Sequence, residues 1–166
     1  MQLLKVFMYH CKMKSKKEIV DFENSIAPWL GKTVKIVEYY LQEAFNINKI
    51  DLTKEQMIVL KKLHDQDGLH QNELAFLTLR DKSSLTRLLS KMEAKKYITR
   101  KQSNKDKRIN NVYLTDLGRN IFEKTRPIIK YIIDTMEQNI TAQEKEQIIN
   151  TLKKIQINFD VKSGTL

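Results

Sequence analysis

The sequence feature that most restricts the fold of this chain is a repeated helix-start signal, the capping box. In this signal a Ser or Thr is followed three positions later by Glu or Gln, and both side chains bond free N–H groups of the new helix. Three such pairs precede segments with apolar residues every three or four positions: Ser15 with Glu18, Thr53 with Gln56 and Thr141 with Glu144. That spacing marks one face of a helix, so the chain is predicted to be mainly helical.

Proline and glycine limit the helices of the N-terminal half. The helix that begins after Ser15 is interrupted at Pro28, which lacks the N–H that an inner helical turn needs. A second helix is predicted over 29–45. The helix that begins after Thr53 stops near Gly68, because Asp-Gly is a turn dipeptide.

The C-terminal third carries two amphipathic helices. Thr115 can cap the first, whose apolar residues cover an unusually broad arc of its surface. Pro127 lies well inside this helix, where it removes one backbone hydrogen bond and predicts a kink. The second helix begins after Thr141. So much apolar surface needs a partner to cover it.

The positive charge of the chain is concentrated in its centre. The chain has 30 basic and 20 acidic residues and a net charge of +10. Residues 80–108 alone hold eleven basic and three acidic side chains, which gives this segment a net charge of +8. Concentrated positive charge indicates a polyanionic partner, whereas the nearly neutral segment 116–166 is typical of scaffold. A basic cluster between Lys12 and Lys17 is more simply interpreted as a solvated tail.

Two short helices with a tight link lie within the basic centre. They are predicted over 71–77 and 82–95, an arrangement typical of a helix-turn-helix. The second places leucines on one side and small, polar and basic residues on the other. Such a face suits a DNA major groove, because short hydroxyl side chains avoid clashes and Arg87 can offer a two-pronged contact to guanine or phosphate. An ordinary solvated helix face is the alternative interpretation.

Two runs of β-branched and aromatic residues follow, over 97–100 and 111–114. Such runs are typical of strands. The basic segment between them contains Ser103 and Asn104, a pair that favours a turn. This pattern predicts a β-hairpin with a positively charged tip.

Several classes of function are disfavoured by what the sequence lacks. The four glycines lie at least 37 residues apart, so the glycine-rich loops that bind nucleotides are absent. No nucleophile elbow, metalloprotease motif or apolar pair of carboxylates points to an enzyme, and no cofactor is expected. No apolar run reaches the ~18 residues of a membrane span, and the single cysteine, Cys11, fits a reducing compartment. We expect a cytoplasmic protein that is not an enzyme.

Spaced motifs follow one another through the centre of the chain. They are Leu52-Thr53 with Gln56; Gly68 with Gln71, Glu73, Leu74 and Ala75; the run 81–89; Ile98-Thr99-Arg100; Asp106-Lys107-Arg108; and Leu114-Thr115 with Gly118. Their order and spacing resemble the winged-helix core of MarR-type transcriptional regulators. The resemblance implies a mainly α fold with a small β-hairpin wing.

The resemblance also implies a domain organisation and an assembly. A winged helix-turn-helix core over 52–115 is flanked by dimerisation helices over 18–51 and 116–166, and the basic extension 1–17 has no counterpart. The implied function is a homodimeric, sequence-specific DNA-binding regulator, most often a repressor in this family, that a small-molecule effector modulates. Two recognition helices about one DNA turn apart would read an inverted-repeat operator. A non-specific or chromosome-associated DNA-binding protein is the alternative that the charge also permits.

Residues that meet DNA follow from the same resemblance. The recognition helix, 82–95, would turn small polar and basic residues to bases and phosphates. In the wing, Asp106 and Arg108 match the family's Asp-x-Arg motif, in which the Arg enters the minor groove and the Asp orients it. A phosphate contact or a free surface charge is the alternative for Arg108. The predicted DNA-binding residues are Lys82, Ser83, Ser84, Thr86, Arg87, Lys91, Lys105, Asp106, Lys107 and Arg108.

Effector and sensor residues are less well defined by the sequence. Trp29, Tyr39 and Tyr40 lie on the helix nearest the family's usual pocket and are the predicted ligand-binding residues, with core or interface packing as the alternative. Redox sensing through Cys11 is disfavoured, because Cys11 lies 41 residues before Leu52, well upstream of the predicted dimer helix. The three histidines are scattered, so no metal site is predicted.

Two positions depart from the family pattern. Lys96 stands where a glycine usually ends the recognition helix, which predicts either a left-handed residue at a cost of ~1 kcal/mol or a different turn. His70 stands where a Thr cap is more frequent. The extension 1–17 has no match, and Met13 is a candidate for the true start of the chain.

Overall fold

The computed structural model describes residues 21–103, 107 and 110–159. The chain divides into two compact units, Met1–Val34 and Lys35–Leu166. The described residues form a mainly helical fold with a small antiparallel sheet, which confirms the predicted fold class. In chain order the elements are α1 (Ile26–Ile47), α2 (Lys54–Asp65), β1 (Leu69–His70), α3 (Gln71–Leu77), α4 (Lys82–Ala94), β2 (Ile98–Gln102), β3 (Asn110–Leu114), α5 (Asp116–Met136) and α6 (Ala142–Asn158).

Helix α1 contains Pro28 in its first turn. Proline is tolerated there because the first N–H groups of a helix have no carbonyl partner within it. The residues just before the helix form bends, and the Asp21 carboxylate accepts hydrogen bonds from the backbone and side-chain nitrogens of Asn24. The prediction of a helix before Pro28 is therefore wrong over 21–25. Its predicted cap, Ser15, lies outside the described residues.

Two of the predicted capping boxes are formed. The Thr53 hydroxyl accepts a hydrogen bond from the backbone N–H of Gln56 at 3.3 Å, and the Gln56 side chain accepts one from the backbone N–H of Thr53 at 3.2 Å. The same reciprocal bonds join Thr141 to Glu144 at the start of α6. Local chemistry therefore fixes where α2 and α6 begin.

The three strands form one antiparallel sheet in the order β1-β3-β2. β2 pairs with β3 along its length, with Arg100 opposite Val112, and this confirms the predicted hairpin. β1 is two residues long and pairs Leu69 with Val112. The sequence does not predict β1, because so short a strand has no periodic pattern.

One hydrophobic core joins the helices of the Lys35–Leu166 unit to the sheet. Its fully buried side chains include Phe45, Leu60, Leu63, Leu74, Leu85, Leu89, Met92, Ile98 and Val112. The buried Thr125 hydroxyl donates to the Phe122 carbonyl at 2.6 Å. In the part of the chain that the structure describes, no buried side-chain nitrogen or oxygen lacks a hydrogen-bond partner.

The turn from α4 into β2 is a helix-capping motif built on Lys96. This residue has a φ of 59°, in the left-handed region. Its N–H donates to the Glu93 carbonyl at 2.9 Å, and the N–H of Tyr97 donates to the Met92 carbonyl at 3.0 Å. These two bonds define a Schellman motif, which is usually built on glycine. The left-handed alternative predicted for Lys96 is confirmed.

Helix α5 begins in contact with this turn. Its cap, Thr115, accepts a hydrogen bond from the Gly118 N–H at 3.0 Å, and the Thr115 N–H donates to the Tyr97 carbonyl at 3.1 Å. A Cβ on Gly118 would lie 2.0 Å from the Tyr97 carbonyl oxygen, so no side chain fits there. The helix continues through Pro127, and the kink at that residue stays a prediction.

Candidate nucleic-acid interface

Helix α4 begins at an N-cap with several bonds. The Asp81 carboxylate accepts hydrogen bonds from the backbone N–H groups of Ser83 and Ser84 at 3.0 and 2.9 Å. The Ser83 hydroxyl also donates to it, at 2.6 Å. These bonds, the hydroxyl bond first, hold the pKa of Asp81 below its ordinary range. The carboxylate therefore keeps its charge to lower pH than an ordinary Asp, and its bonds fix the first turn of α4.

Helix α4 has one buried and one exposed face. Leu85, Leu89 and Met92 are fully buried and anchor the helix to the core. The opposite face carries the small polar and basic residues that the sequence predicts to meet DNA, and only Ser84 among them is half-buried. The exposed members are Lys82, Ser83, Thr86, Arg87 and Lys91. The structure thus brings the helical part of the predicted site together on one surface.

The hydroxyl groups on this surface are bonded to neighbouring residues. The Thr86 hydroxyl accepts a hydrogen bond from Gln71 Nε2 at 2.6 Å and donates to the Lys82 carbonyl at 2.7 Å. The Ser84 hydroxyl accepts one from Arg80 Nη1 at 3.1 Å. The bond from Gln71 to Thr86 is not predicted from the sequence, because no local pattern indicates that a residue of α3 reaches the middle of α4.

Three cationic groups lie on the same surface. Among the residues that the structure describes, the side-chain nitrogens of Lys82, Arg87 and Lys91 form no hydrogen bond or ion pair. All three side chains are exposed. They are therefore available to phosphate oxygens or to base edges without the loss of an intramolecular bond.

The wing is described along its strands and in part at its tip. On β2, Lys101 Nζ lies 5.6 Å from the centroid of the Tyr113 ring on β3, a cation–π distance. Lys107 lies in an exposed turn. The other predicted residues of the tip lie outside the described residues: Lys105, Asp106 and Arg108.

An ion pair joins the C-terminal end of α4 to β2. Arg100 Nε and Nη2 donate to Glu93 Oε2 at 3.0 and 2.6 Å, and the Arg100 backbone N–H donates to Glu93 Oε1 at 3.0 Å. The hydrogen bonds from the Arg100 guanidinium are the main reason that the pKa of Glu93 lies below its ordinary range. The sequence places Arg100 in a family motif and Glu93 among the charges, but it does not predict their pairing. The available signal was an acid and a base on opposite sides of the helix-to-strand connection.

His70 stands at the N-cap of α3 and makes no side-chain cap. Its Nδ1 lies 2.6 Å from Asn111 Oδ1. Because an amide oxygen only accepts, the hydrogen-bonded tautomer carries its proton on Nδ1. The His70 side chain therefore bonds β1 to β3 and does not cap α3.

A groove of about 620 Å³ opens between α2, the end of α3 and α5. Its apolar lining consists of Met57, Ile58, Leu77, Phe122, Ile129 and Ile133. Its charged lining is wholly cationic in the described part of the chain and consists of Lys61, Lys62, Arg126 and Lys130. The groove is not predicted from the sequence, because its residues come from three elements that only the tertiary fold brings together.

The predicted ligand-binding aromatic residues lie on α1 and are exposed. The Tyr39 and Tyr40 rings form an edge-to-face pair with their centroids 5.5 Å apart. Trp29 Nε1 donates to the Glu23 carbonyl at 2.9 Å, and Lys32 Nζ lies 5.8 Å from the Trp29 ring. The lining of the groove comes from other residues, so the ligand role of these three aromatics stays a prediction.

The described residues contain neither a membrane-spanning helix nor a cluster of metal ligands. No helix there combines the length and the apolar character needed to cross a membrane. In the same residues, no three His, Cys, Asp or Glu side chains lie together as metal ligands would.

Comparisons with known proteins point to one class of protein. The model of the MarR family matches residues 52–109. The HTH-type transcriptional regulator SarZ of Staphylococcus haemolyticus is 31% identical over 132 residues, which are 78% of this chain and 83% of that protein. Among solved structures, a MarR-family regulator from Silicibacter pomeroyi is 27% identical with a TM-score of 0.67, covering 83% of this chain and 92% of that one. The S. aureus MepR–DNA complex is 26% identical with a TM-score of 0.76, covering 82% and 99%.

Proposed function

The chain belongs to the MarR family of DNA-binding transcriptional regulators, and we propose that it is a homodimeric, sequence-specific repressor whose DNA binding a small-molecule effector modulates. MarR is a family of transcription regulators and not of enzymes. The observation that carries the proposal is the exposed face of α4, where three cations lie on a small polar surface and have no partner among the described residues. We place its action in the cytoplasm, on chromosomal DNA.

Arg87 is the proposed base-reading residue. It lies on the exposed face between Lys82 and Lys91. Its planar fork matches the O6 and N7 acceptors of guanine in the major groove, which a lysine cannot contact in the same two-pronged way. We assign the flanking lysines to phosphates, which position the helix without reading sequence. The short hydroxyl residues Ser83 and Thr86 leave room for this approach.

The wing supplies the second contact in this proposal. Lys107 is exposed at the tip, and we assign to it a phosphate contact. Arg108, oriented by Asp106, is proposed to enter the minor groove, where a narrow A·T-rich segment attracts a guanidinium. Lys105 is proposed to bind the neighbouring backbone.

The exposed apolar residues of α5 and α6 support self-association. Helix α6 has no buried residue, although isoleucine and leucine recur along it every three or four positions. Exposed large apolar side chains on and between these helices include Ile133, Met136, Ile140, Ile148, Ile149 and Ile157. A second copy with twofold symmetry would cover such a surface and present two α4 helices to an inverted repeat.

The DNA-binding proposal is tested by selecting genomic fragments with the purified chain and titrating the recovered duplex against random duplex. Arg87→Ala should lose about 1–3 kcal/mol of binding to the selected duplex and much less on random DNA. Lys124→Ala, which removes an exposed charge from α5, is the matched control and should leave the ratio unchanged. Equal binding of all duplexes by the unaltered chain would instead support a non-specific, chromosome-associated protein.

The groove between α2 and α5 supports an effector that combines an apolar body with a negative charge. Lys61, Arg126 and Lys130 each pair with an acid of their own helix, so an anion at the rim would meet cations already held in place. Benzoate and decanoate are suitable probes, and benzamide is the uncharged control. We expect the anions to weaken binding to the selected duplex and Ile129→Trp, which fills the groove, to remove that response. An equal response to benzamide would contradict the anionic effector.

A further inference from the structure

Simultaneous contact with two DNA grooves requires that α4 and the wing hold a fixed angle. The wing is a hairpin whose outer residues leave the core, since Lys101 and Gln102 at the end of β2 are exposed. Arg100 is the last half-buried residue before them, and its partner across the sheet, Val112, is fully buried. On the side of α4, Arg100 therefore lies where the hairpin departs from the core.

The contact at this point is a set of hydrogen bonds and not only a charge pair. Glu93 uses one carboxylate oxygen for the Arg100 backbone and the other for its guanidinium, so it holds both the strand and the side chain. Arg100 Nη2 also donates to the Ser90 hydroxyl, one turn earlier on α4, at 3.3 Å. The two side chains are only 23% and 36% exposed for Arg100 and Glu93, respectively, so solvent screens the pair incompletely.

The turn at Lys96 is the covalent connection between α4 and β2, and it is the other structure that could set their angle. It holds the backbone by two bonds, but its left-handed residue carries a side chain that this conformation disfavours. The Glu93–Arg100 pair closes the triangle formed by α4, the turn and β2. Together, the turn and the Glu93–Arg100 bonds restrain the angle between α4 and β2, whereas the turn alone only connects the two elements.

We propose that Glu93 and Arg100 are positioning residues that set the angle between α4 and the wing, so that the wing meets DNA only while their bonds are intact. This inference rests on the proposed DNA contacts of Arg87 and Lys107. Neither Glu93 nor Arg100 touches DNA in it. Once Arg87 of α4 has bound DNA, their bonds hold Lys107 of the wing near its phosphate. This raises the effective concentration of the wing at its DNA site.

The test measures the salt dependence of binding to the selected duplex for the full chain and its variants. In the unaltered chain, Lys107→Ala should lower the slope of log K against log salt by about one, since it removes one phosphate contact. In a Glu93→Gln background the same substitution should leave the slope unchanged, because the wing no longer reaches its phosphates. Arg87→Ala should weaken binding by the same factor in both backgrounds.

Controls separate this role from a general loss of structure. Glu73→Gln removes the same charge from an exposed position on α3 and should leave the Lys107 effect in place. Arg100→Lys keeps the charge but loses the fork, so the Lys107 effect should be reduced and not abolished. Thermal melting of each variant, measured without DNA, identifies any chain that is partly unfolded at the assay temperature.

The outcomes are distinguishable. A Lys107 effect of equal size in the unaltered and Glu93→Gln chains overturns the positioning role and leaves the proposed function intact. If Lys107→Ala has no effect in the unaltered chain, the wing contact of the proposed function fails and the inference fails with it. If no duplex is selected at all, sequence-specific binding fails, and both proposals are rejected.

Discussion

The core around α2 and α4 and the C-terminal helix α6 use apolar residues in opposite ways. Leu60 and Leu85 are fully buried in the core, whereas Ile148 and Ile157 of α6 are 50% and 68% exposed. Helices α2 and α6 nevertheless begin with the same capping box. The capping box therefore fixes where a helix begins, but it does not determine whether the apolar face of that helix is buried within the same chain. The apolar residues of the core are covered within the chain, while those of α6 stay exposed and support the proposed self-association.

The largest expected effect comes from the tightest contact of the core. Gly118→Ala places a methyl group 2.0 Å from the Tyr97 carbonyl oxygen, and backbone must move to relieve the clash. We expect a loss of about 3 kcal/mol or more in the free energy of unfolding. Urea denaturation followed by circular dichroism measures it. Gly31→Ala, at a glycine with open space around its Cβ position, is the control that should lose little or nothing.

Matched truncations test the difference between the core and α6 directly. Leu85→Ala removes a fully buried side chain and should lower the free energy of unfolding by about 2–5 kcal/mol. Ile148→Ala removes a half-exposed side chain and should change that of the monomer by less than about 1 kcal/mol. Both are measured by denaturation at protein concentrations low enough to dissociate oligomers. Similar losses at the two positions would mean that α6 packs within the chain.

A charge on the exposed face of α6 should affect association more than folding. Ile149 is 41% exposed, and Ile149→Lys would place an ammonium group in the proposed interface. We expect the dissociation constant of self-association to rise by about tenfold or more, equivalent to ~1.4 kcal/mol. Sedimentation equilibrium measures it, and Lys153→Ala on the same helix is the control. An unchanged constant would place the interface elsewhere.

Removal of the helix caps should give smaller and separable effects. Thr53→Ala should lower the free energy of unfolding by about 1 kcal/mol, since α2 belongs to the core. Thr141→Ala removes the same bonds from α6, and its effect should appear mainly as weaker self-association. Thermal melting and sedimentation of both variants show which property each cap supports. A larger loss of core stability from Thr141→Ala would contradict the separation.

The smallest expected effect is a dependence on pH. The pKa of Glu93 is lowered from 4.5 in the folded chain, so its ion pair stabilises the fold fully above that value. The contribution is lost as the pH falls through the lowered pKa, because the protonated acid no longer attracts Arg100. The stability difference between the unaltered chain and Glu93→Gln should therefore shrink below pH 4.5. Denaturant titrations across acidic pH measure it, and a constant difference would show that the charge of Glu93 is irrelevant.

Structural features that depend on neighbours along the chain could be predicted from the sequence. The cap at Thr53, the bounds of α3 and the left-handed alternative at Lys96 all follow from residues within one or two turns. The same approach is wrong for the segment before Pro28, where a carboxylate turn competes with the helical spacing.

Features that depend on distant residues lie beyond local patterns. The bond from Gln71 to Thr86 joins two helices, and the groove combines side chains of α2, α3 and α5. Their positions are set by packing of the whole core, which no short segment encodes. The exposed face of α4 could be predicted because its polarity is visible in one helix, whereas the ion pair that fixes its angle to the wing could not.

The contact between Gly118 and Tyr97 has a consequence for communication along α5. Phe122, one turn further along the helix, lines the groove, while Gly118 abuts the carbonyl at the entrance to β2. Because a close backbone contact tolerates little compression, a shift of this end of α5 must be passed on to the base of the hairpin. The proposed effector groove and the base of the proposed DNA-binding wing therefore lie at opposite ends of a single helical turn of α5.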